Sequence, residues 1–164
     1  MELICRSLDI SGKEIIVPSN TFIASTNAIL NAGCKPIFAD CADDMCVDLK
    51  SIKKKITKKT AAVMIVHIGG IITKDIYKIK KLCKIKNIFL IEDSAQAHGS
   101  SLNGKKAGSF GVAAGFSFFS TKVMTTGEGG MVTTNNLQIV KKIKSMREFG
   151  KVKKGIYTNY HTSI

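Results

Sequence analysis

The sequence predicts an α/β fold, a mainly parallel sheet flanked by helices, and two observations carry that prediction. Apolar runs of strand length recur at residues 14–17, 61–66 and 88–91, the pattern of strands buried on both faces. Between such runs lie segments of helical periodicity, clearest at 74–86, where Ile76, Ile79, Leu82 and Cys83 recur at steps of three and four. Strands separated by helices need crossover connections, which makes the sheet parallel and puts helices on both of its faces.

In chain order, Glu14-Ile15-Ile16-Val17 is a short buried strand that runs into the loop Pro18-Ser19-Asn20. Residues 21–32 follow as a helix, with Gly33 as its C-terminal stop. The next strand is Lys35-Pro36-Ile37-Phe38-Ala39-Asp40, where Pro36 sits near the start and its missing N–H is tolerated. Residues 41–48 form a turn-rich connection and 49–56 a short helix; the strand at 61–66 is then closed by His67 and two glycines. The amphipathic helix at 74–86 leads directly into the strand Ile88-Phe89-Leu90-Ile91. Beyond Glu92 the residues at 93–111 are small and polar, with Asn103-Gly104 as a hairpin turn. Two strands at 112–118 and 130–134 and a helix at 136–149, ended by Gly150, precede a basic, irregular stretch at 151–164. There is no internal repeat and no low-complexity segment.

A chain of 164 residues with 45% hydrophobic and 23% charged content is long enough for one globular unit with a real core. No apolar run reaches the length of a membrane-spanning helix, and residues 1–6 lead into charged and turn residues rather than a secretory h-region. The expected location is the cytoplasm, with no membrane partner. Cys5, Cys34, Cys41, Cys46 and Cys83 are odd in number and form no C-x-x-C pair, so they are read as free thiols and no metal site is expected. Lys and Arg outnumber Asp and Glu by 25 to 12, a formal charge of +13, which fits either a nucleic acid or an anionic substrate. Most of the lysines fall within 50–59, 74–86 and 141–154, interleaved with Ile and Leu as on the wet faces of amphipathic helices. With no aromatic platform beside them, they argue for solvated faces and against a nucleic-acid partner.

In an open α/β sheet, ligands collect beyond the carboxyl ends of the strands. Three such ends carry chemistry. Ile91-Glu92-Asp93-Ser94-Ala95-Gln96-Ala97-His98-Gly99 brings a carboxylate, an amide and an imidazole out of a buried strand. Phe116-Ser117-Phe118-Phe119-Ser120-Thr121-Lys122 places hydroxyls and a lysine after another, and Thr125-Thr126-Gly127-Glu128-Gly129-Gly130 is a loop small enough for backbone to approach a ligand.

Together with Glu14-Ile15-Ile16-Val17-Pro18-Ser19-Asn20-Thr21-Phe22 and Ala32-Gly33-Cys34-Lys35-Pro36-Ile37-Phe38-Ala39-Asp40, these segments resemble the DegT/DnrJ/EryC1/StrS family of sugar aminotransferases. Over nearly the whole chain, the resemblance implies the large domain of the aspartate-aminotransferase fold (fold type I), the cofactor pyridoxal 5'-phosphate (PLP), and transfer of an amino group, with glutamate as expected donor, to a nucleotide-linked keto sugar. By resemblance Lys122 carries the Schiff base to PLP, a role that suits an amine made nucleophilic by partial desolvation. Asp93 would pair with the pyridine nitrogen and keep the ring an electron sink. Gln96 would lie beside the ring, Phe22 would stack on it, and Ser117 would hold the phosphate. His67 and His98 match family positions, but each is read as a loop-side histidine satisfied by backbone, and Glu128 as a structural hydrogen-bonding residue.

The family pattern has an upstream Gly-Thr or Gly-Ser phosphate segment ahead of residues 1–8 and a small C-terminal domain. The expected organisation is therefore a PLP-binding large domain at 1–150 lacking its N-terminal segment, and at 151–164 the start of a connection to a further domain, with His161 where arginine or asparagine is usual. Val123, Gly69 and Glu148-Phe149 also depart from the pattern. A fragment with little activity alone is expected, and a homodimer for the intact enzyme. The alternatives are a PLP-dependent sugar dehydratase, whose relatives can replace the lysine by histidine, and a non-catalytic remnant or partner-completed subunit.

Overall fold

Alternation along the central strands divides the apolar side chains between two cores. Ile15, Val17, Ala62, Met64 and Ile91 pack on one face of the sheet, whereas Ile16, Val63, Ile65 and Leu90 pack on the other. The computed structural model describes residues 1–153 and 156–157. Its elements are α1 (Glu2–Ser7), β1 (Glu14–Pro18), α2 (Ile23–Asn31), β2 (Lys35–Ala39), α3 (Leu49–Lys55), β3 (Thr60–Val66), α4 (Ile76–Lys86) and β4 (Phe89–Asp93). The hairpin β5 (Ser101–Leu102) and β6 (Lys105–Lys106) follows, then β7 (Ala113–Ser117), β8 (Gly130–Thr133), α5 (Leu137–Met146) and a ribbon of β9 (Lys151–Lys153) with β10 (Ile156–Tyr157).

The main sheet has the order β2-β1-β3-β4-β7-β8. Its first five strands run parallel, and β8 closes the edge antiparallel to β7, from Ala114 opposite Thr133 to Ser117 opposite Gly130. The predicted mainly parallel sheet between helices is what forms. From β1 the chain steps outward to β2 and then back past β1 to β3, so the order reverses there. Crossovers of one hand leading in opposite directions lie on opposite faces. Accordingly α2 packs with α1 and α5 on one core, through Ile29, Ile4 and Ile143, while α3 and α4 cover the other through Ile52, Ile76 and Ile79. Fully burying each of these isoleucines is worth about 1.5–3 kcal/mol.

Local chemistry sets the helix ends. Asp48 accepts from the backbone N–H of Lys50 and Ser51 at the start of α3, and Asn136 accepts from Gln138 and Ile139 at the start of α5. Gly33, at φ +72°, turns the chain out of α2, and Asn103-Gly104 makes the predicted hairpin turn, both residues having positive φ. The lysines of α3 and α4 are exposed. Lys142 of α5 departs from that pattern, being half-buried and bonded to the Ser7 carbonyl and the Asp9 carboxylate. Burial pushes the Cys5 and Cys83 thiols up to about 12, and all five cysteines are free.

Several element boundaries differ from the sequence-based expectation, most by one or two residues. The helix expected to begin at Thr21 starts at Ile23, with Phe22 extended as its N-cap. Strand β4 continues through Glu92 and Asp93, because both carboxylates find internal hydrogen bonds. Helix α5 stops at Met146 rather than Phe149, which takes a left-handed φ of 57° and is exposed. The stretch expected to be irregular begins instead as the β9–β10 ribbon; residues 158–164, His161 included, lie outside the described residues.

Candidate active site

The carboxyl ends of β3, β4 and β7 open on one cavity of about 1070 Å³, lined among others by Phe22, Asp93, Gln96, Ser117 and Lys122. Each reaches it from a different piece of local structure. Asp93 is the last residue of β4 and is buried. One of its oxygens accepts from the Ser25 hydroxyl of α2 at 2.7 Å, and the other from the Ala95 backbone N–H at 3.1 Å. No cationic side chain forms an ion pair with it among the described residues. A buried carboxylate partnered only by neutral donors retains the capacity to receive a cation from the cavity side.

Gln96 lies in the turn after β4, where its Oε1 accepts from the Gly69 backbone N–H at 2.6 Å. Gly69 belongs to a short 3-10 turn that leaves β3 at His67, so two neighbouring strand ends are tied together at the cavity. Ser117 ends β7; its hydroxyl oxygen accepts from the Phe119 N–H at 3.3 Å, leaving its own proton to donate. Phe22 is 69% exposed at the head of α2 and lines the same cavity as Asp93.

Lys122 sits in the excursion from β7 to β8, in a turn closed by its backbone N–H to the Phe119 carbonyl. That excursion is folded back on itself. Phe118 donates to the Gly129 carbonyl and its own carbonyl accepts from Thr126 N–H and the Thr125 hydroxyl. The Thr126 hydroxyl donates to the Glu128 carbonyl, so the bond at Glu128 engages its backbone. The loop places the lysine at the cavity wall without a partner for its ammonium among the described residues.

Two residues expected to be backbone-satisfied histidines behave otherwise. His67 is buried and its Nε2 lies 2.9 Å from Oε2 of the equally buried Glu92; since a carboxylate only accepts, that nitrogen donates. Glu92 also accepts from the backbone N–H of Gly108, Phe110 and Gly111 at 2.6–2.8 Å. Burial by itself pushes its carboxyl up. The hydrogen bonds from His67, Gly111 and Gly108, with the charge of His67, outweigh burial and leave it below its ordinary range. The ring nitrogens of His98 are buried without a hydrogen-bond partner among the described residues, and the ring packs against Phe116 and Phe118.

Sequence reasoning missed the supports of this site, Ser25 and Glu92 with His67. A charged residue at the end of an otherwise apolar strand was the available signal for Glu92. Ser25 gave none beyond a hydroxyl in the first turn of a helix. Lys144 of α5, within the 141–154 stretch of lysines read as a solvated face, and Arg147 just beyond the helix also line the cavity.

Residues 1–163 match the DegT/DnrJ/EryC1/StrS aminotransferase family. A GDP-perosamine synthase of Vibrio cholerae is 44% identical over 86% of this chain and 38% of its own length. The crystal structure of an aminotransferase from Psychrobacter cryohalolentis superposes with a TM-score of 0.88 at 38% identity, covering 92% of this chain and 38% of that one. NtdA of Bacillus subtilis, whose structure holds the cofactor PMP, superposes with a TM-score of 0.79 at 29% identity, over 91% of this chain and 34% of that one. The chain thus spans about two fifths of the length of the relatives it matches.

Proposed function

We propose that this chain, which belongs to the DegT/DnrJ/EryC1/StrS aminotransferase family and has the large-domain fold of the fold type I PLP-dependent aminotransferases, supplies the cofactor-binding residues for amination of a nucleotide-linked keto sugar. The observation that carries this reading is the convergence of Phe22, Asp93, Gln96, Ser117 and Lys122, from widely separated stretches of sequence, on one cavity at the strand ends.

The residues present fit PLP. Asp93 offers an acceptor for a protonated ring nitrogen, Phe22 an aromatic face, Ser117 a donor for a phosphate oxygen, and Lys122 an amine for the aldehyde carbon. Bound there, PLP supplies an electron sink that stabilises negative charge on a donor's α-carbon. Lys122, at the cavity wall, is the group to move the proton between substrate and cofactor carbon. Gln96, fixed by Gly69, limits how the ring can shift. Glutamate is the proposed donor, and Lys122, Lys144 and Arg147 at the cavity favour an acceptor bearing a diphosphate. Exposed Phe22 at the cavity, with exposed Val123 and Met124 next in sequence to Lys122, supports a second subunit covering the site in the intact enzyme.

Reduction with borohydride after incubation with PLP, followed by peptide mass analysis, tests the assignment. The label is expected on the peptide containing Lys122 and is lost in Lys122→Ala. Uniform labelling of surface lysines, equal in the two proteins, would overturn it. Glutamate and a nucleotide-linked keto sugar, added to the PLP-loaded protein, then test the amino transfer through the amino sugar formed.

A further inference from the structure

Behind Asp93 lies a chain of hydroxyls. Thr21 Oγ1 is 2.7 Å from Ser25 Oγ, and Ser25 Oγ is 2.7 Å from Asp93 Oδ2. Its direction follows from counting protons. A carboxylate only accepts, so Ser25 gives its single proton to Asp93, and the Thr21 hydroxyl must then donate to Ser25. Ser25 is 2% exposed and Asp93 7%, so water does not compete readily, and hydrogen bonds aligned in one direction strengthen one another. The Ala95 N–H holds the other oxygen. With one fixed donor on each oxygen, the plane of the carboxylate is set.

We infer that Thr21 and Ser25 form a directed hydroxyl relay which fixes the Asp93 carboxylate toward the cavity, making Ser25 a positioning residue for a protonated ring nitrogen. The inference rests on the cofactor reading above and extends it to residues that need not touch the cofactor. Ser25 stands in the first turn of α2, one turn beyond Phe22. The same hydrogen bond that orients the carboxylate therefore also fixes the helix start that presents the aromatic face. One side chain thus links the carboxylate to the helix start that carries Phe22.

The test uses the full chain as Ser25→Ala, Ser25→Thr and Thr21→Val. Without cofactor, amide hydrogen exchange at Ala95 should speed up at least fivefold in Ser25→Ala while exchange at Ile16, in the interior strand β1, is unchanged; Ser25→Thr, which keeps the hydroxyl, should restore the native rate. With PLP labelled with 15N at the ring nitrogen, Ser25→Ala should move that nitrogen's chemical shift toward the unprotonated value and raise the PLP dissociation constant about tenfold, with Thr21→Val moving both less and in the same direction. A ring-nitrogen shift and affinity unchanged in Ser25→Ala would overturn the relay. If the native chain takes no PLP at Lys122, the cofactor reading fails by itself. The exchange rates then still decide: an unchanged Ala95 rate in Ser25→Ala removes the relay as well.

Discussion

Glu92 and Asp93 are neighbours in β4, and the alternation of a strand sends them to opposite faces. Asp93 meets the cavity, while Glu92 takes His67 and the backbone of Gly108, Phe110 and Gly111. Gly108 must be glycine for that geometry: its φ is +85° and an added Cβ would lie 2.6 Å from the Phe116 ring. The buried carboxylate thereby ties the ends of β3 and β4 to the turn entering β7. Glu92→Gln replaces one oxygen by a donor that must face other donors, either Gly108 N–H or those of Phe110 and Gly111. Loss of roughly 3 kcal/mol at neutral pH is expected, read as a lower urea midpoint. Because hydrogen bonds leave the folded Glu92 carboxyl below the ordinary 4.5, its stabilisation is complete above about pH 4.5 and is lost as pH falls through the folded value. The gap between native and Glu92→Gln midpoints should accordingly narrow below pH 4.5; a gap constant from pH 7 to pH 3 would show that the carboxylate charge is not what matters.

At the scale of elements, the helices combine modest local signals with strong burial. α3 has only seven residues, Leu49–Lys55, three of them lysines in its last turn. Such a length does not hold a helix in water by itself. The Asp48 cap, Ile52 in the core and the last-turn lysines facing the negative end of the helix dipole act together. Asp48→Ala removes two N-terminal hydrogen bonds and should cost about 1 kcal/mol, seen as a shifted denaturant midpoint with an unchanged slope. A change within a few tenths of that unit would mean that packing through Ile52 alone maintains the turn. Since α3 packs on the face of the sheet opposite α2, PLP labelling at Lys122 should be unaffected by this substitution.

For the molecule as a whole, the formal charge of +13 is the main long-range force. Exposed lysines crowd α3 and α4, and ion pairs such as Lys78–Asp75, largely exposed on the lysine side, contribute little. Mutual repulsion over distances beyond contact is screened as the Debye length falls from about 30 Å at 0.01 M to about 8 Å at 0.15 M salt. Thermal stability should therefore rise by a few degrees between those salt concentrations, with most of the gain at the low end. A midpoint that falls with salt would mean that attractive pairs outweigh the repulsion. No helix among the described residues is long and apolar enough to cross a membrane.

The α/β class, the order of strands and helices along the chain, and the candidates Phe22, Asp93, Gln96, Ser117 and Lys122 were all legible in the sequence. The class and the order of elements rest on local information, since hydrophobic periodicity and turn residues are properties of neighbours in the chain; the five candidate residues rest on the resemblance of their motifs to the family. The strand order β2-β1-β3-β4-β7-β8, with its reversal at β1, is a relation between segments far apart in sequence, and local signals do not specify it. Only the folded chain brings Ser25 to Asp93, 68 residues away, and His67 to Glu92, 25 away. A serine in the first turn of a helix and a histidine after a strand carry no mark of their partners. The hydrogen bonds that satisfy them depend on how the sheet stacks its strands, so the supports of the site emerge from tertiary structure while its chemically distinctive groups stand plainly in the sequence.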